Sequence, residues 1–574
     1  MILTTDKFRT YFPRHAAGVA SPPARQTVIM PQLLALLIGL LVLLPIYAGT
    51  ASAMVSAETI RRQLAQDTDD TGNQSAQVRL KHFYAQRDYQ PVWIISNQYQ
   101  PILDTALAFI ARADEEGLDI SDYDSAHLQQ LHASPEGETG LALELGVTRS
   151  LLTLAQDLYS GQLSATAADP DWHIPQQKFD SVTFLQQALT QNNLLQAFAD
   201  LAPSMPQYDA LRRQLMKLRQ LAAAGTRWTQ IPEIASAIRP NSTHPAIPLI
   251  RQRILEAHAA YAKAEYALTT AESEWYDHEL EAAIKTFQQQ HGLNPDGIIG
   301  RHTRRALNTP LEKQIQKLRI NMERLRWLPR NFGDRYVLVN IAGFYLTAIE
   351  HHTPVLDMRI VVGRDYRSTP SFNSRVSHLV LNPYWNIPNS IARLDLWPKQ
   401  KKNPDYFASQ GIRVFSSYRY ESELDPDGID WHAVERHFPY ALQQAPGNLN
   451  ALGNIKFMFP NPFSIYLHDT PSKSLFQKDI RTYSSGCIRL EKPFQLAEFL
   501  LGRSLEDANI TQQVSSGKTR TVHLPKRVPI YLVYITAWSD EQGDVRFSSD
   551  IYGRDKRALA HARWPEPAQL SQSY

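Results

Sequence analysis

The sequence predicts a multidomain α+β protein whose N-terminal half is helical and whose C-terminal half is mainly β. The chain has 574 residues, which is too many for a single hydrophobic core. Apolar residues recur at helical spacing as far as about residue 271, whereas from residue 336 they alternate with polar residues at the period of a strand. A segment rich in proline, aspartate and tyrosine, residues 388–450, interrupts the second half and predicts a long insertion.

The composition is that of a globular chain without a strong charge. Hydrophobic residues make up 43% and charged residues 20% of the sequence, so the chain has enough apolar material to fold. The formal net charge is only +2, which gives no indication of nucleic-acid binding. We therefore predict no nucleic-acid partner.

The first 53 residues have the pattern of an export signal. A basic start that includes Lys7, Arg9 and Arg14 precedes an uncharged stretch whose apolar centre is residues 33–44. Residues 51–53 then give the small-x-small pattern of a signal-peptidase site. We expect residues 1–53 to be a signal peptide or, because the stretch is nearly long enough for a bilayer, a membrane anchor. Either one places the rest of the chain outside the cytoplasmic membrane.

Residues 54–271 are predicted to form a helical scaffold domain. Residues 143–158 illustrate the pattern, because their leucines fall along one face of a helix. No group of residues with catalytic spacing occurs in this region. A structural role is therefore the better interpretation.

Residues 272–310 predict a small helical module. Four apolar residues lie at positions i, i+3, i+4 and i+7 of one helix, namely Leu280, Ala283, Ile284 and Phe287. Gly292 ends that helix, residues 294–297 form a turn, and a second helix follows Gly300. This order resembles the small three-helix type of peptidoglycan-binding domain. A connecting helix is expected within residues 311–335, since its apolar residues keep a helical repeat.

Residues 336–560 are predicted to form a mainly-β domain. Val337, Val339 and Ile341 alternate with polar neighbours, and further strand patterns follow along the segment. The insertion at residues 388–450 leaves this domain between two predicted strands. Long excursions of this kind are often functional, and we interpret the segment as a lid.

Cys487 is the only cysteine of the chain. It cannot form an intrachain disulfide, and an exported protein meets an oxidising compartment. It is therefore either a buried inert residue or a reactive one. The choice between these two interpretations depends on the residues around Cys487.

The residues around Cys487 favour a nucleophile. A predicted strand ends at His468, whose imidazole can take the proton of the thiol and hold the resulting ion pair. Gly486 permits a tight turn that would direct the amides of Gly486 and Cys487 at a developing oxyanion. Ser484 and Ser485 can fix this loop by side-chain hydrogen bonds, and Arg489 could hold a substrate carboxylate.

The spacing of His468, Cys487 and Arg489 resembles the active-site signature of the L,D-transpeptidase catalytic domain. The resemblance extends through residues 363–370 and 382–388. Residues 402–406 of the insertion are typical of the large members that carry a lid. Many members have histidine where this chain has Ser485, but the large lidded branch usually has serine there.

The resemblance implies a reaction and a setting. Cys487 would attack the amide between meso-diaminopimelate and the terminal D-alanine of a tetrapeptide stem and form a thioester. A second diaminopimelate amine would resolve the thioester to a 3→3 cross-link, and water would resolve it as an L,D-carboxypeptidase. The resemblance further implies the periplasm of a Gram-negative bacterium and inhibition by carbapenems. Peptidoglycan stems would be the substrate, with penicillin-binding proteins and D,D-carboxypeptidases as candidate partner enzymes.

Other interpretations stay open. A general cysteine protease would carry its cysteine at the start of a helix, which the residues before Cys487 do not resemble. A non-catalytic wall-binding protein would use only the module at residues 272–310. Tyr466 is a candidate for a hydroxyl near the oxyanion, and Trp385 a candidate for the stem groove, although both fit a purely structural role equally well. No histidine belongs to a metal-ligand motif, so we predict no metal and no cofactor.

Overall fold

The computed structural model describes residues 55–66, 74–96, 98–133, 138–261, 268, 272–434, 438–562 and 564. The predicted signal peptide or anchor at residues 1–53 lies outside these ranges. Within the described ranges, no helix combines the length and the apolar composition that a membrane span requires.

The N-terminal region is helical, as predicted. Its helices are α1 (Ala57–Gln66), α2 (Gln74–Ala85), α3 (Pro101–Ile110), α4 (Ser125–Ala133), α5 (Glu138–Ser160), α6 (Ala165–Ala168), α7 (Ser181–Thr190), α8 (Leu194–Ala199) and α9 (Pro206–Ala223), with a short hairpin of β1 (Ile94–Ile95) and β2 (Gln98–Tyr99). Helix α5 contains the leucine stripe predicted at residues 143–158, and Leu151, Leu152 and Leu158 are buried in the core of this region. The leucines therefore pack against neighbouring helices.

The small module follows. Its helices are α10 (Ile247–Tyr261), α11 (His278–Gln290) and α12 (Arg301–Leu307), and α13 (Leu311–Arg326) connects it to the β domain. Asp277 caps α11 by accepting a hydrogen bond from the amide of Leu280, and the predicted apolar face of α11 is buried. The first of the three helices, α10, precedes residue 272, so our predicted boundary leaves it outside the module.

The module packs directly against the C-terminal half. The ring of His291 stacks on Phe547 with 5.7 Å between the ring centroids. The amide of Asn294 donates to a carboxylate oxygen of Asp479 at 2.7 Å. Burial lowers the pKa of His291 to about 3, so this histidine is uncharged in the interface.

The β domain is a closed barrel. Its strands are β3 (Arg335–Asn340), β4 (Tyr345–Glu350), β5 (Thr353–Gly363), β6 (Phe372–Leu381), β11 (Ile455–Met458), β12 (Leu467–His468), β13 (Thr482–Ser484), β14 (Ile488–Leu490) and β15 (Arg520–Val533). The order in the sheet is β13-β5-β14-β12-β11-β6-β15-β3-β4, and β4 also pairs with β5. That pairing closes the sheet and leaves few free edges. Helices α17 (Pro493–Leu501), α18 (Ile510–Ser515) and α19 (Arg554–Ala562) and the hairpin β16 (Ala537–Ser539) and β17 (Val545–Phe547) complete this half.

The predicted lid, residues 388–450, has its own small sheet. The sheet has the order β7-β10-β8-β9, from β7 (Trp385–Ile387), β8 (Ile412–Phe415), β9 (Glu423–Leu424) and β10 (Ala441–Gln444), and α14 (Asn389–Ile391), α15 (Trp397–Lys402) and α16 (Tyr406–Ser409) pack beside it. Phe407, Val414 and Trp431 belong to a separate hydrophobic core. The turn-forming composition alone did not predict this core, which makes the lid a subdomain rather than a loop.

The helical region also contacts the loop that leads into β6. Trp172 pairs with Ser371 in an isolated bridge, and the amide of His173 donates to the Ser371 carbonyl at 2.7 Å. The buried guanidinium of Arg554 donates to Asp171 at 2.9 Å and to the Thr369 carbonyl at 2.9 Å. The loop before β6 is thus held from the scaffold side.

Candidate active site

Strand register places the predicted residues together. Strands β12 and β14 are parallel, with Leu467 opposite Ile488 and His468 opposite Arg489. Leu467 and Ile488 point into the barrel core. Because alternate residues of a strand share a face, His468 and Arg489 lie on the opposite face, and so do Tyr466 and Cys487, one position before each core residue. We call this surface the thiol face.

His468 is buried and held in one tautomer. Its Nδ1 lies 2.5 Å from the carbonyl oxygen of Asp469, and since a carbonyl only accepts, Nδ1 must donate. Its Nε2 is then the free acceptor. The Asp469 carboxylate is itself fixed, because it accepts from the Asn454 amide at 2.9 Å and pairs with Lys473 at 2.7 Å. Burial, together with the positive charges of Arg489 and Lys456, lowers the pKa of His468 to about 3.

Cys487 is half-buried, with its Sγ 3.7 Å from the carbonyl oxygen of Ser464. Burial raises the pKa of the thiol, while hydrogen bonds from Tyr466 and the positive charges of Lys456 and Arg489 act in the opposite direction. The raised thiol pKa and the lowered imidazole pKa favour a neutral pair at rest. The imidazolium–thiolate pair that we expected from the sequence is therefore not the resting state that these shifts favour.

Lys456 also belongs to the thiol face, although we did not predict it as a site residue. It lies opposite His468 in the antiparallel pairing of β11 and β12. Its Nζ is 4.3 Å from the centroid of the Tyr466 ring, a cation–π contact. Burial lowers the pKa of this ammonium, and the neighbouring Cys487 raises it. The sequence signal for Lys456 was its position between two buried residues of the same strand, Ile455 and Phe457, because such a position directs its side chain away from the core.

Tyr466 connects three groups of the site. Its ring centroid lies 5.7 Å from that of His468. Burial raises its pKa, hydrogen bonding to Cys487 raises it further, and hydrogen bonding with Trp385 lowers it. Tyr466 therefore contacts both the thiol and Trp385, the residue at the start of the lid sheet.

The loop that precedes Cys487 is fixed by Ser484. The Ser484 hydroxyl donates to the carbonyl of Cys487 and accepts from the amide of Gly486 at 3.1 Å. Gly486 has φ +116°, and a Cβ there would meet Ile465 at 3.1 Å, so a glycine is required. The Ser484 hydroxyl occupies the Gly486 amide in this structure, and the role of that amide as an oxyanion donor stays a prediction.

A second loop, residues 364–369, supports the first and was not assigned a role in advance. The Arg364 amide donates to the Ser484 carbonyl at 3.0 Å, and Arg367 Nη1 donates to the Ser485 hydroxyl at 2.9 Å. The Thr369 hydroxyl donates to the Gly486 carbonyl at 2.8 Å. We call residues 364–369 the arginine loop. The sequence signal was the motif at residues 363–370, which we used only as part of the resemblance.

Arg489 has no carboxylate beside it among the described residues. Its Nε is buried without a hydrogen-bond partner in this part of the chain, and its guanidinium is half-buried. Burial lowers its pKa, as does the positive charge of Arg364. A cation in this position can receive an anionic group from outside the protein.

No group of three or more potential metal ligands occurs among the residues that the structure describes. A cavity of about 600 Å³ lies elsewhere, lined by Arg335, Glu350, Phe499 and their neighbours. It contains none of the residues of the thiol face. We therefore take the strand register, rather than cavity size, as the guide to the site.

Comparisons with protein families agree with the order of the regions. Residues 334–527 match the family described as "L,D-transpeptidase catalytic domain", and residues 78–215 match "Scaffold domain". Residues 252–307 match "Putative peptidoglycan binding domain", which begins within α10 and thus before residue 272.

Individual relatives carry the same description. A Haemophilus influenzae protein named "Putative L,D-transpeptidase" is 38% identical over 251 residues, covering 43% of this chain and 50% of that protein. The chain thus spans about half the length of this curated relative. The L,D-transpeptidase structure of Xylanimonas cellulosilytica is 14% identical, with a TM-score of 0.18 over 53% of this chain and 100% of its own. The structure from Mycobacterium smegmatis is 13% identical, with a TM-score of 0.16 over 35% of this chain and 58% of its own.

The C-terminal half is a closed barrel whose thiol face carries Cys487, His468 and Arg489. Residues 334–527 are similar to the L,D-transpeptidase catalytic domain, and the chain also has regions similar to a scaffold domain and a peptidoglycan-binding domain. The predicted mixed α+β fold class is confirmed.

Proposed function

We propose that this protein is a peptidoglycan L,D-transpeptidase in which Cys487 is the nucleophile and His468 the general base. The observation that carries the proposal is the register of β12 and β14, which puts both residues on one face beside Arg489. The family match of residues 334–527 supports the class of reaction. The remaining residues of the thiol face supply the charges and the hydroxyl that such a reaction needs.

The first half-reaction would form a thioester. The Cys487 sulfur attacks the carbonyl carbon of diaminopimelate, and Nε2 of His468 accepts the thiol proton as the bond forms. The carbon–nitrogen bond then breaks, and the imidazolium returns the proton to the departing D-alanine amine. Since burial raises the pKa of Cys487 and lowers that of His468, we expect proton transfer to accompany attack instead of preceding it.

The second half-reaction would transfer the acyl group. The amine of a second diaminopimelate attacks the thioester carbonyl, His468 accepts its proton, and the thiolate leaves. An amide forms and the thiol is restored, which gives a 3→3 cross-link. Water in place of the amine would give an L,D-carboxypeptidase as a side activity.

Substrate contacts can be assigned from the same geometry. Arg489 would bind a carboxylate of the stem, because its Nε has no hydrogen-bond partner among the described residues and its charge acts on the nearby thiol. The amide of Cys487 and the hydroxyl of Tyr466 are the candidate donors to the oxyanion, now that the Gly486 amide is engaged. Trp385 would line the stem groove where it meets Tyr466. Ser485 would act only on the loop geometry.

The other regions would bring the substrate to this site. We propose the boundaries 54–246 for the scaffold, 247–310 for the peptidoglycan-binding module, 311–335 for the connecting helix and 336–560 for the catalytic domain. The location would be the periplasm of a Gram-negative bacterium, reached through the export signal or anchor at residues 1–53. Penicillin-binding proteins and D,D-carboxypeptidases stay candidate partners.

The test is product analysis with the purified protein and a disaccharide tetrapeptide. We expect 3→3 dimers and released D-alanine from the parent chain and none from Cys487→Ala. His468→Gln should lower turnover by about 100- to 10,000-fold, the usual range for loss of a general base. His561→Gln is the matched control, because His561 lies exposed on α19, where its ring bonds the carbonyl of Arg557, and none of its described contacts involves the thiol face. Full activity of Cys487→Ala would refute the assignment of the nucleophile, and absence of product from the parent chain would refute the proposed activity and favour a wall-binding role.

A further inference from the structure

One guanidinium, that of Arg367, hydrogen-bonds both to the lid and to residues 484–486, which we call the cysteine loop. Arg367 Nη1 donates to the Ser485 hydroxyl at 2.9 Å and also pairs with the carboxylate of Asp395. Its Nη2 donates to the carbonyl of Ser390 at 3.3 Å. Ser390 and Asp395 belong to the lid, whereas Ser485 lies two residues before Cys487. Arg367 therefore contacts both parts at once.

The environment of this pair differs from that of an ordinary surface ion pair. The side chain of Arg367 is 15% exposed and that of Asp395 is 21% exposed, so solvent screens their attraction only in part. Guanidinium geometry is planar and fixed, so the contacts with Asp395 and Ser390 set the position of the nitrogen that reaches Ser485. Asp395 lies in a π-helical turn, Ala392–Leu396, a local distortion that is frequent at functional sites.

The arginine loop is the element through which this contact can act. Arg364, Arg367 and Thr369 bind Ser484, Ser485 and Gly486 in turn, so each residue of the loop before the thiol has one partner there. Two of these three contacts use the backbone or a buried hydroxyl and do not depend on the lid. The Arg364 side chain also pairs with Asp395 of the lid, at 3.8 Å, but its bond to Ser484 uses the backbone amide. Among these three hydrogen bonds, only that of Arg367 uses a guanidinium that also binds the lid.

We propose that Arg367 is a positioning residue that couples the seating of the lid to the reactivity of Cys487. When the lid is seated, Asp395 and Ser390 hold the guanidinium against Ser485, and the cysteine loop keeps its geometry. When the lid moves away, Arg367 loses two of its three partners, and Ser485 loses its only side-chain anchor among the described contacts. The thiol then reacts slowly until substrate is enclosed. This inference rests on the proposed function only for the identity of the substrate.

The experiment is a double-mutant cycle on the full chain with two probes of Cys487. The variants are Asp395→Asn, Ser485→Ala and their combination. The first probe is turnover of a disaccharide tetrapeptide, with kcat and KM measured separately. The second is alkylation by iodoacetamide, a small neutral reagent that needs no substrate recognition, and Cys487 is its sole thiol target.

We expect each single variant to lower kcat and the alkylation rate about tenfold, as for loss of one charge-assisted contact that sets reactive geometry. The double variant should be no slower than the singles, because both changes act through Arg367. Arg367→Lys should be intermediate, since an ammonium keeps the charge without the fork. Glu423→Gln is the matched control. It breaks the Arg413–Glu423 ion pair inside the lid, and neither residue of that pair has a described contact with Ser485. Both rates should therefore stay unchanged.

The coupling is overturned if the losses of the two single variants multiply in the double variant. It is equally overturned if Asp395→Asn reacts at the parent rate, or if Glu423→Gln loses as much as Asp395→Asn. Failure of the proposed function has a different outcome. In that case the parent chain does not turn over the tetrapeptide, while the alkylation rates still show the non-additive pattern, and the coupling stands.

Discussion

Thr369 offers a direct test of how the cysteine loop is held. Its buried hydroxyl accepts a hydrogen bond from the Gly363 amide at 3.0 Å and donates one to the Gly486 carbonyl at 2.8 Å. Thr369→Val keeps the shape of the side chain and removes both bonds. A buried polar group left without a partner costs about 1–3 kcal/mol, so two such groups cost roughly 2–6 kcal/mol together.

The measurement is thermal unfolding of the parent and the variant, followed by circular dichroism in the aromatic region. For a domain of this size each kcal/mol shifts Tm by roughly 2–4 °C, so we expect a decrease of roughly 4–24 °C. Turnover measured well below Tm should fall at least about tenfold, because the carbonyl next to the nucleophile loses its anchor. Thr347→Val is the control, since that hydroxyl pairs with Asp357 on the surface. A Thr369→Val variant with the parent Tm and the parent kcat would refute the reasoning.

Three further predictions follow from the same site. Lys456→Met removes a positive charge that lowers the pKa of Cys487, so the thiol pKa should rise and the pH–rate profile of alkylation should move to higher pH. Lys492→Met is the control and should leave the profile unchanged, because the Lys492 ammonium binds the carbonyl of Asp357. The antiparallel pairing of β7 and β10 permits residues 388–440 to be replaced by a short Gly-Ser linker. This replacement should raise the ratio of trimmed tripeptide to 3→3 dimer, because water then reaches the thioester. An unchanged ratio with intact donor turnover would exclude a gating role. A carbapenem should add once to the peptide that contains Cys487, and no mass increase after long incubation would contradict the nucleophile assignment.

Local patterns predicted much of the architecture. The leucine stripe within α5, the apolar face of α11 and the alternation in β3 all have buried counterparts in the structure. These patterns are reliable because each depends on neighbours a few residues apart. The placement of Cys487 and His468 on the thiol face likewise follows from short strands with a period of two.

Other features depend on contacts between distant segments. Lys456 reaches the site only because β11 pairs with β12, and Arg367 reaches Ser485 across more than a hundred residues of sequence. The lid core assembles from residues that no helical or strand period relates. The sequence also does not show that the Ser484 hydroxyl turns back onto the amide of Gly486, the predicted oxyanion donor.

The sequence also did not predict which protonation state of the Cys487–His468 pair is favoured. Histidine next to cysteine suggests an ion pair, but burial of both groups opposes charge separation. The positive charges of Lys456 and Arg489 lower the thiol pKa and at the same time disfavour an imidazolium. The geometry thus favours a neutral resting state that becomes charged only during attack.

The most direct test of the central assignment is to trap the covalent intermediate. The full chain is mixed with a disaccharide tetrapeptide in the absence of an acceptor amine, quenched in acid within seconds, and analysed by intact mass and peptide mapping. We predict a mass increase equal to the donor minus D-alanine, located on the peptide that contains Cys487 and removed by hydroxylamine, as a thioester requires. The Cys487→Ala variant should show no adduct and release no D-alanine. Release of D-alanine by that variant, or an adduct on any other residue, would contradict the assignment of Cys487 as the nucleophile.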